Sequence, residues 1–69
     1  NQCERLARQH GLTDRERQTL ELLALGETVA AIARALDVSE NTVKTYTKRV
    51  YRKLDVHSKQ DIIDLCREG

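Results

Sequence analysis

The 69 residues can hold one small domain, and its core must be built without phenylalanine, tryptophan or methionine. A chain of about 60 residues buries only about 60% of the surface its unfolded form exposes, so a catalytic cleft between subdomains is excluded. With 33% charged residues, no proline and a net charge of +1, the chain reads as a soluble helical domain, not a linker or a sheet protein, and it has no apolar run near the roughly 20 residues that cross a bilayer.

Residues 1–11 read as a polar lead-in. Glu4 and Arg8 stand at i, i+4 spacing and can support a short helix, with Cys3 and Leu6 as packing points and His10-Gly11 as its end. Because the chain starts at Asn1 and not at a methionine, this stretch is expected to continue from a missing N-terminal domain. A receiver, a ligand-binding domain and a membrane-embedded sensor are all compatible with it. The domain proper is expected over 12–69.

Thr13-Asp14-Arg15-Glu16 spells a capping box: the threonine hydroxyl accepts from the Glu16 amide while the Glu16 carboxylate reaches back to the Thr13 amide. A helix follows with Leu20, Leu23 and Ala24 on one face, and Gly26 closes it as a left-handed cap. Glu16 is expected to be structural, held by this cap and a nearby base. Thr28 caps a second helix, whose Val29, Ile32, Ala33 and Leu36 form one buried stripe at i, i+3, i+4, i+7. After the three residues Asp37-Val38-Ser39, Ser39 caps a third helix over about 40–54, with Glu40 in its first turn. Asp55-Val56-His57 is a turn. Ser58 then opens a last helix, with Asp61 three residues on and Ile62, Ile63, Leu65 and Cys66 as its apolar side. That arc is wider than packing on one neighbour requires.

The third helix divides sharply. At about 100° per residue, Val43, Val50 and Leu54 fall within about 40° of each other, while Asn41, Lys44, Thr45, Lys48, Arg49 and Arg52 fill roughly 140° on the other side. From Lys44 to Lys53 there are five bases and no acid, whereas the remaining residues carry the other seven bases against all eleven acids. A solvated helix normally mixes both signs as i, i+4 pairs. A cationic stretch on a slightly negative body is the footprint of a polyanion binder. Two helices joined by three residues cross steeply, so the second protrudes. A helix about 10–12 Å across fits a major groove about 12 Å wide, where Lys can donate to guanine, Asn can pair with adenine and Thr can touch a thymine methyl.

The segments L-T-D-R-E-R-Q-T-L-E-L-L-A-L-G, E-T-V-A-A-I-A-R-A-L-D-V-S-E-N-T-V-K-T-Y and V-Y-R-K-L-D-V-H-S-K-Q-D-I-I, over residues 12 to about 66, resemble the C-terminal domain of LuxR-type (GerE-type) bacterial transcriptional regulators. The resemblance implies an all-α, compact four-helix bundle with a central helix-turn-helix and a C-terminal dimerisation helix. It implies sequence-specific double-stranded DNA as partner, a homodimer on a two-fold operator, and RNA polymerase as a further candidate. Carried over by position, it assigns base contacts to Lys44, Thr45 and Lys48, phosphate contacts to Thr28, Thr42, Tyr46 and Arg52, and dimerisation to Ile63, which could instead be buried within its own subunit. Arg49, on the same arc, is a further phosphate candidate. Both Arg49 and Lys53 have acids such as Asp55 as competing partners, and Ser39 is foremost a helix cap.

Three positions depart from the family pattern. Asp37 replaces a glycine in a turn expected to need positive φ, Tyr46 replaces a histidine, and Val29-Ala30 replace a polar pair, leaving Thr28 as the phosphate candidate there. A sigma-factor promoter-binding domain, the nearest rival, characteristically ends soon after the recognition helix, and this chain continues into a capped fourth helix. A helix-turn-helix used only for protein contacts would carry acidic or apolar residues where the bases stand. No catalytic set of side chains is apparent, so an enzyme is not expected. No cofactor is expected either. Cys3, His10, His57 and Cys66 match no paired metal-ligand spacing, so no metal is expected. With no signal peptide visible, the cysteines are read as reduced thiols of a cytoplasmic protein.

Overall fold

In the computed structural model, which describes residues 2–67, the chain forms five helices and, among the described residues, no strand. They are α1 (Gln2–His10), α2 (Asp14–Ala24), α3 (Val29–Leu36), α4 (Glu40–Leu54) and α5 (Lys59–Arg67). The last four stand where the sequence places the bundle helices. Positions 1, 68 and 69, at the ends of the expected segments, lie outside the described residues.

Helix α2 is the hub, packing against each of the other four. Leu20 and Leu23 from α2, Ile32, Ala33 and Leu36 from α3, Val43, Val50 and Leu54 from α4 and Ile62 from α5 form one buried cluster. Each such aliphatic side chain contributes about 1.5–3 kcal/mol when fully removed from water. The lead-in is an integral part of this core. Cys3, Leu6 and Ala7 are buried on α1, which lies on α2, α4 and α5. The broad apolar arc of α5 is thereby explained, because α5 covers α2 and α1 at once: Ile62 is buried, and Leu65 and Cys66 pack at the core's edge.

Four helices end in the same way. An amide two or three positions past the helix reaches back five residues, as Leu12 to Ala7 (2.9 Å), Glu27 to Leu22 (3.1 Å), Val38 to Ala33 (3.0 Å) and Val56 to Tyr51 (3.0 Å). The residue before each of those amides is left-handed: Gly11, Gly26, Asp37 (φ 57°) and Asp55 (φ 55°). This is the Schellman termination, which satisfies carbonyls that the helix leaves unpaired. Leu12, Val38 and Val56 then drop onto the core, which fixes the exit direction of the chain. The positive φ expected at Asp37 is observed. The one at Asp55 was not anticipated, although Leu36-Asp37-Val38 and Leu54-Asp55-Val56 are the same triplet.

Side-chain caps open the helices. Thr28 Oγ1 accepts from Ala31 N (3.1 Å) and Ser39 Oγ from Thr42 N (3.1 Å). At α5, Ser58 Oγ accepts from Asp61 N (3.1 Å), while the Asp61 carboxylate accepts from His57 N (3.0 Å), one residue earlier than in a standard capping box.

A non-glycine residue in the left-handed region is strained, and aspartate is among the residues that tolerate it best. Asp37→Gly is therefore expected to stabilise the domain by about 0.5–1 kcal/mol, raising Tm by a few degrees. A thermal melt monitored by helical circular dichroism checks this; a lower Tm would mean that the Asp37 side chain contributes more than its backbone costs.

Candidate nucleic-acid interface

Helix α4 is held from behind by Val43 and Val50, both with no exposure, and by Leu54. Fifteen residues long, it spans about 22 Å. Its opposite face is open. Asn41, Lys44, Thr45, Lys48, Arg49 and Arg52 are all exposed, and none of these four bases has an ion pair among the described residues. Thr45 Oγ1 donates to the Asn41 carbonyl (3.2 Å).

Other bases are engaged with the body. Lys53 donates to Glu16 Oε1 (2.7 Å) and to the Gly11 carbonyl past the end of α1 (3.2 Å). Lys59 donates to the Gly26 and Glu27 carbonyls past α2 (3.1 and 2.6 Å), and Arg15 to the Leu36 carbonyl at the end of α3 (3.2 Å). Three cations thus sit on the carbonyl-rich, negative ends of three helices. Lys53 is paired with Glu16, not with a neighbour such as Asp55, and Arg49 is unpaired among the described residues.

Glu16 has the structural role expected of it. Its carboxylate accepts from Thr13 N (2.9 Å) in a complete capping box and from Lys53, with the side chain almost wholly buried. Burial pulls its pKa upward, but hydrogen bonds from Lys53 and Thr13 together with the Lys53 charge outweigh that pull, and the carboxyl sits below its ordinary value.

The phosphate candidates are distributed over two helix starts and along α4. Thr28 is exposed at the cap of α3; Thr42 is half-buried one turn into α4, its hydroxyl 2.9 Å from Ser39 Oγ. The first intrahelical acceptors, Thr28 O and Ser39 O, take Ile32 N and Val43 N, and each cap side chain takes the amide before. The amides of Val29, Ala30, Glu40 and Asn41 therefore have no carbonyl of their own helix to reach, which favours anions there. Tyr46 is half-buried, on the border between the stripe and the open face.

Ile63 is half-buried outside the core cluster. It lines a shallow groove with Gln2, Cys3, Ala24, Leu25 and Cys66. Leu25, 76% exposed, is the large apolar side chain left in water, beside Ile63. Sequence reasoning did not single out Leu25, which lies outside the face formed by Leu20, Leu23 and Ala24; its place just before the left-handed Gly26 is the signal that could have found it.

Residues 10–66 match the family described as bacterial regulatory proteins, luxR family. Relatives include the uncharacterized response regulatory protein YgeK of Escherichia coli, 38% identical over 88% of this chain and 44% of that protein. Others are the transcriptional regulatory protein DesR of Bacillus subtilis, 37% identical over 83% of the chain and 29% of that protein, and the HTH-type transcriptional regulator MalT of Klebsiella pneumoniae, 41% identical over 91% and 7%. The chain spans less than half the length of each. No solved structure matches. The chain belongs to the luxR family, as a helix-turn-helix DNA-binding domain of the transcription-regulator class. Among the described residues no helix is long and apolar enough to cross a membrane.

The Glu16–Lys53 pair makes stability depend on pH. Because the folded-state carboxyl lies below its unfolded value near 4.5, the stabilisation is present above that value and is lost as pH falls through the folded pKa. Glu16→Gln is expected to cost about 1–2 kcal/mol at pH 7, with the difference from wild type shrinking below pH about 4. Urea unfolding at pH 7 and pH 3 measures both; an equal deficit at the two values would rule out the charge as the cause.

Proposed function

We propose that this chain is the DNA-reading output domain of a bacterial transcriptional regulator acting in the cytoplasm, with α4 lying in the major groove of double-stranded DNA. The observation that carries the reading is the contrast between two groups of bases. Arg15, Lys53 and Lys59 bind carbonyls of the body, while Lys44, Lys48, Arg49 and Arg52 stand exposed on one face of α4. Leaving four cations together and unpaired is electrostatically unfavourable for the free domain, and a polyanion relieves it.

Within this reading, Lys44, Thr45 and Lys48 meet base edges. Thr28, Thr42, Tyr46, Arg49 and Arg52 meet phosphates on either side and fix the register. The unbonded first-turn amides of α3 and α4 support phosphate contacts at those helix starts. Two copies bind a two-fold operator, their half-sites about one helical turn apart, or 10–10.5 bp centre to centre. The apolar edge formed by Ile63 and Leu25 supports pairing through α5. The smallness of that edge favours a free domain that is monomeric and pairs on DNA.

A labelled random-sequence duplex pool, titrated at several salt concentrations, tests the reading. Wild type is expected to bind with log K falling linearly in log salt, by about 0.9 per phosphate neutralised. Lys44→Ala/Lys48→Ala is expected to lose about tenfold or more in affinity, whereas Arg52→Ala weakens all sequences alike and flattens the salt slope by about 1. Failure of wild type to bind at low salt, or equal binding by the double variant, would remove α4 as the DNA face. Sedimentation on the selected duplex should show two chains per operator, and one for Ile63→Glu; a single wild-type chain on a two-fold site would refute the pairing.

A further inference from the structure

The two cysteines lie 63 positions apart in sequence, yet their sulfurs are 3.3 Å apart, the Cys3 thiol donating to Cys66 Sγ. Both are free thiols, Cys3 buried on α1 and Cys66 half-buried on α5. Both also line the shallow groove that Gln2, Ala24, Leu25 and Ile63 complete, so a small solute reaches them without unfolding the domain. A disulfide bond is 2.03–2.05 Å long, so the sulfurs need approach by only on the order of 1 Å, within reach of side-chain rotation and a small shift of either terminal helix.

We propose that Cys3 and Cys66 form an oxidation site at which hydrogen peroxide closes an intramolecular disulfide, locking α1 onto α5. In the net reaction one S–S bond forms and the peroxide O–O bond breaks. The two sulfurs together give up two electrons, and the two thiol protons leave with the peroxide oxygens as two molecules of water. Burial first, then the hydrogen bond and charge of Cys3, push the Cys66 thiol up to about 12. Cys66 is therefore a thiol at neutral pH, which slows attack by its own sulfur. The cross-link joins the first and last described helices. It closes a loop of almost the whole chain, the case in which a covalent link most restricts the unfolded state.

The inference stands apart from the DNA reading and is measured without nucleic acid. The 69-residue chain is treated with hydrogen peroxide, quenched, and analysed by intact mass, by proteolytic mapping without reductant and by thermal melting. The expected product has lost two hydrogens, yields a peptide pair joining Cys3 to Cys66, and melts about 10 °C or more above the reduced chain. Dithiothreitol reverses both changes. Cys66→Ala, treated alike, should only gain oxygen and show no upward shift. Oxygen addition to wild type without loss of hydrogen, a cross-link between separate chains, or a closed chain with an unchanged Tm would each overturn the proposal.

Discussion

A helix that presents four exposed cations to solvent can be kept in place only from its other side. In α4 that restraint is a stripe three residues wide. Val43 and Val50 are wholly buried, and Leu54 completes the row. They rest on α2 and α3, and α2 in turn touches every other helix. Packing is tightest along the line opposite the exposed bases, so the open face costs no core. Lys53 adds a polar anchor at the end of the stripe, tying α4 to the capping box that starts α2. One carboxylate oxygen thus serves both the start of one helix and the orientation of another.

The remaining geometry follows from how the helices stop. A domain this small cannot spend residues on long loops, and its four turns are each only three or four residues. The Schellman endings make such turns feasible: each reverses the chain at one left-handed residue, and three of the four deliver the next side chain, Leu12, Val38 or Val56, to the core's edge. Past the ends of α1 and α2 and at the end of α3, a lysine or arginine from another helix covers a free carbonyl. The turn from α3 into α4 is a product of this local chemistry at Asp37, supported by Arg15 on the Leu36 carbonyl.

What the sequence made readable was local, and what it hid was distant. The caps at Thr13, Thr28, Ser39 and Ser58, the left-handed Gly26 and Asp37, and the two-sided character of α4 all depend on residues within two turns of each other. Periodicity and capping rules report such relations directly. Asp55 needed the same rule as Asp37, and the sequence reading placed it only in a turn. The pairing of Lys53 with Glu16 spans 37 positions and the sulfur contact spans 63, and neither leaves a periodic trace. Helix α1 shows the same limit: two or three apolar residues among charges read as a lead-in until the surface they cover is known. The exposure of Lys44, Lys48, Arg49 and Arg52 could be read from the helical period, whereas the DNA contacts proposed for them have no internal pattern to encode them.

A core made of Leu, Ile, Val and Ala has an optical consequence. With no tryptophan or phenylalanine, the near-ultraviolet signal of the chain comes from two tyrosines, Tyr46 and Tyr51, and both are on α4. Both are half-buried, and burial, with the nearby Asp61 charge, holds the Tyr51 phenol above its ordinary pKa and so uncharged under physiological conditions. Intrinsic emission and its quenching therefore come from a single helix, the one with the exposed bases. The unlabelled domain carries its own spectroscopic reporter at that surface.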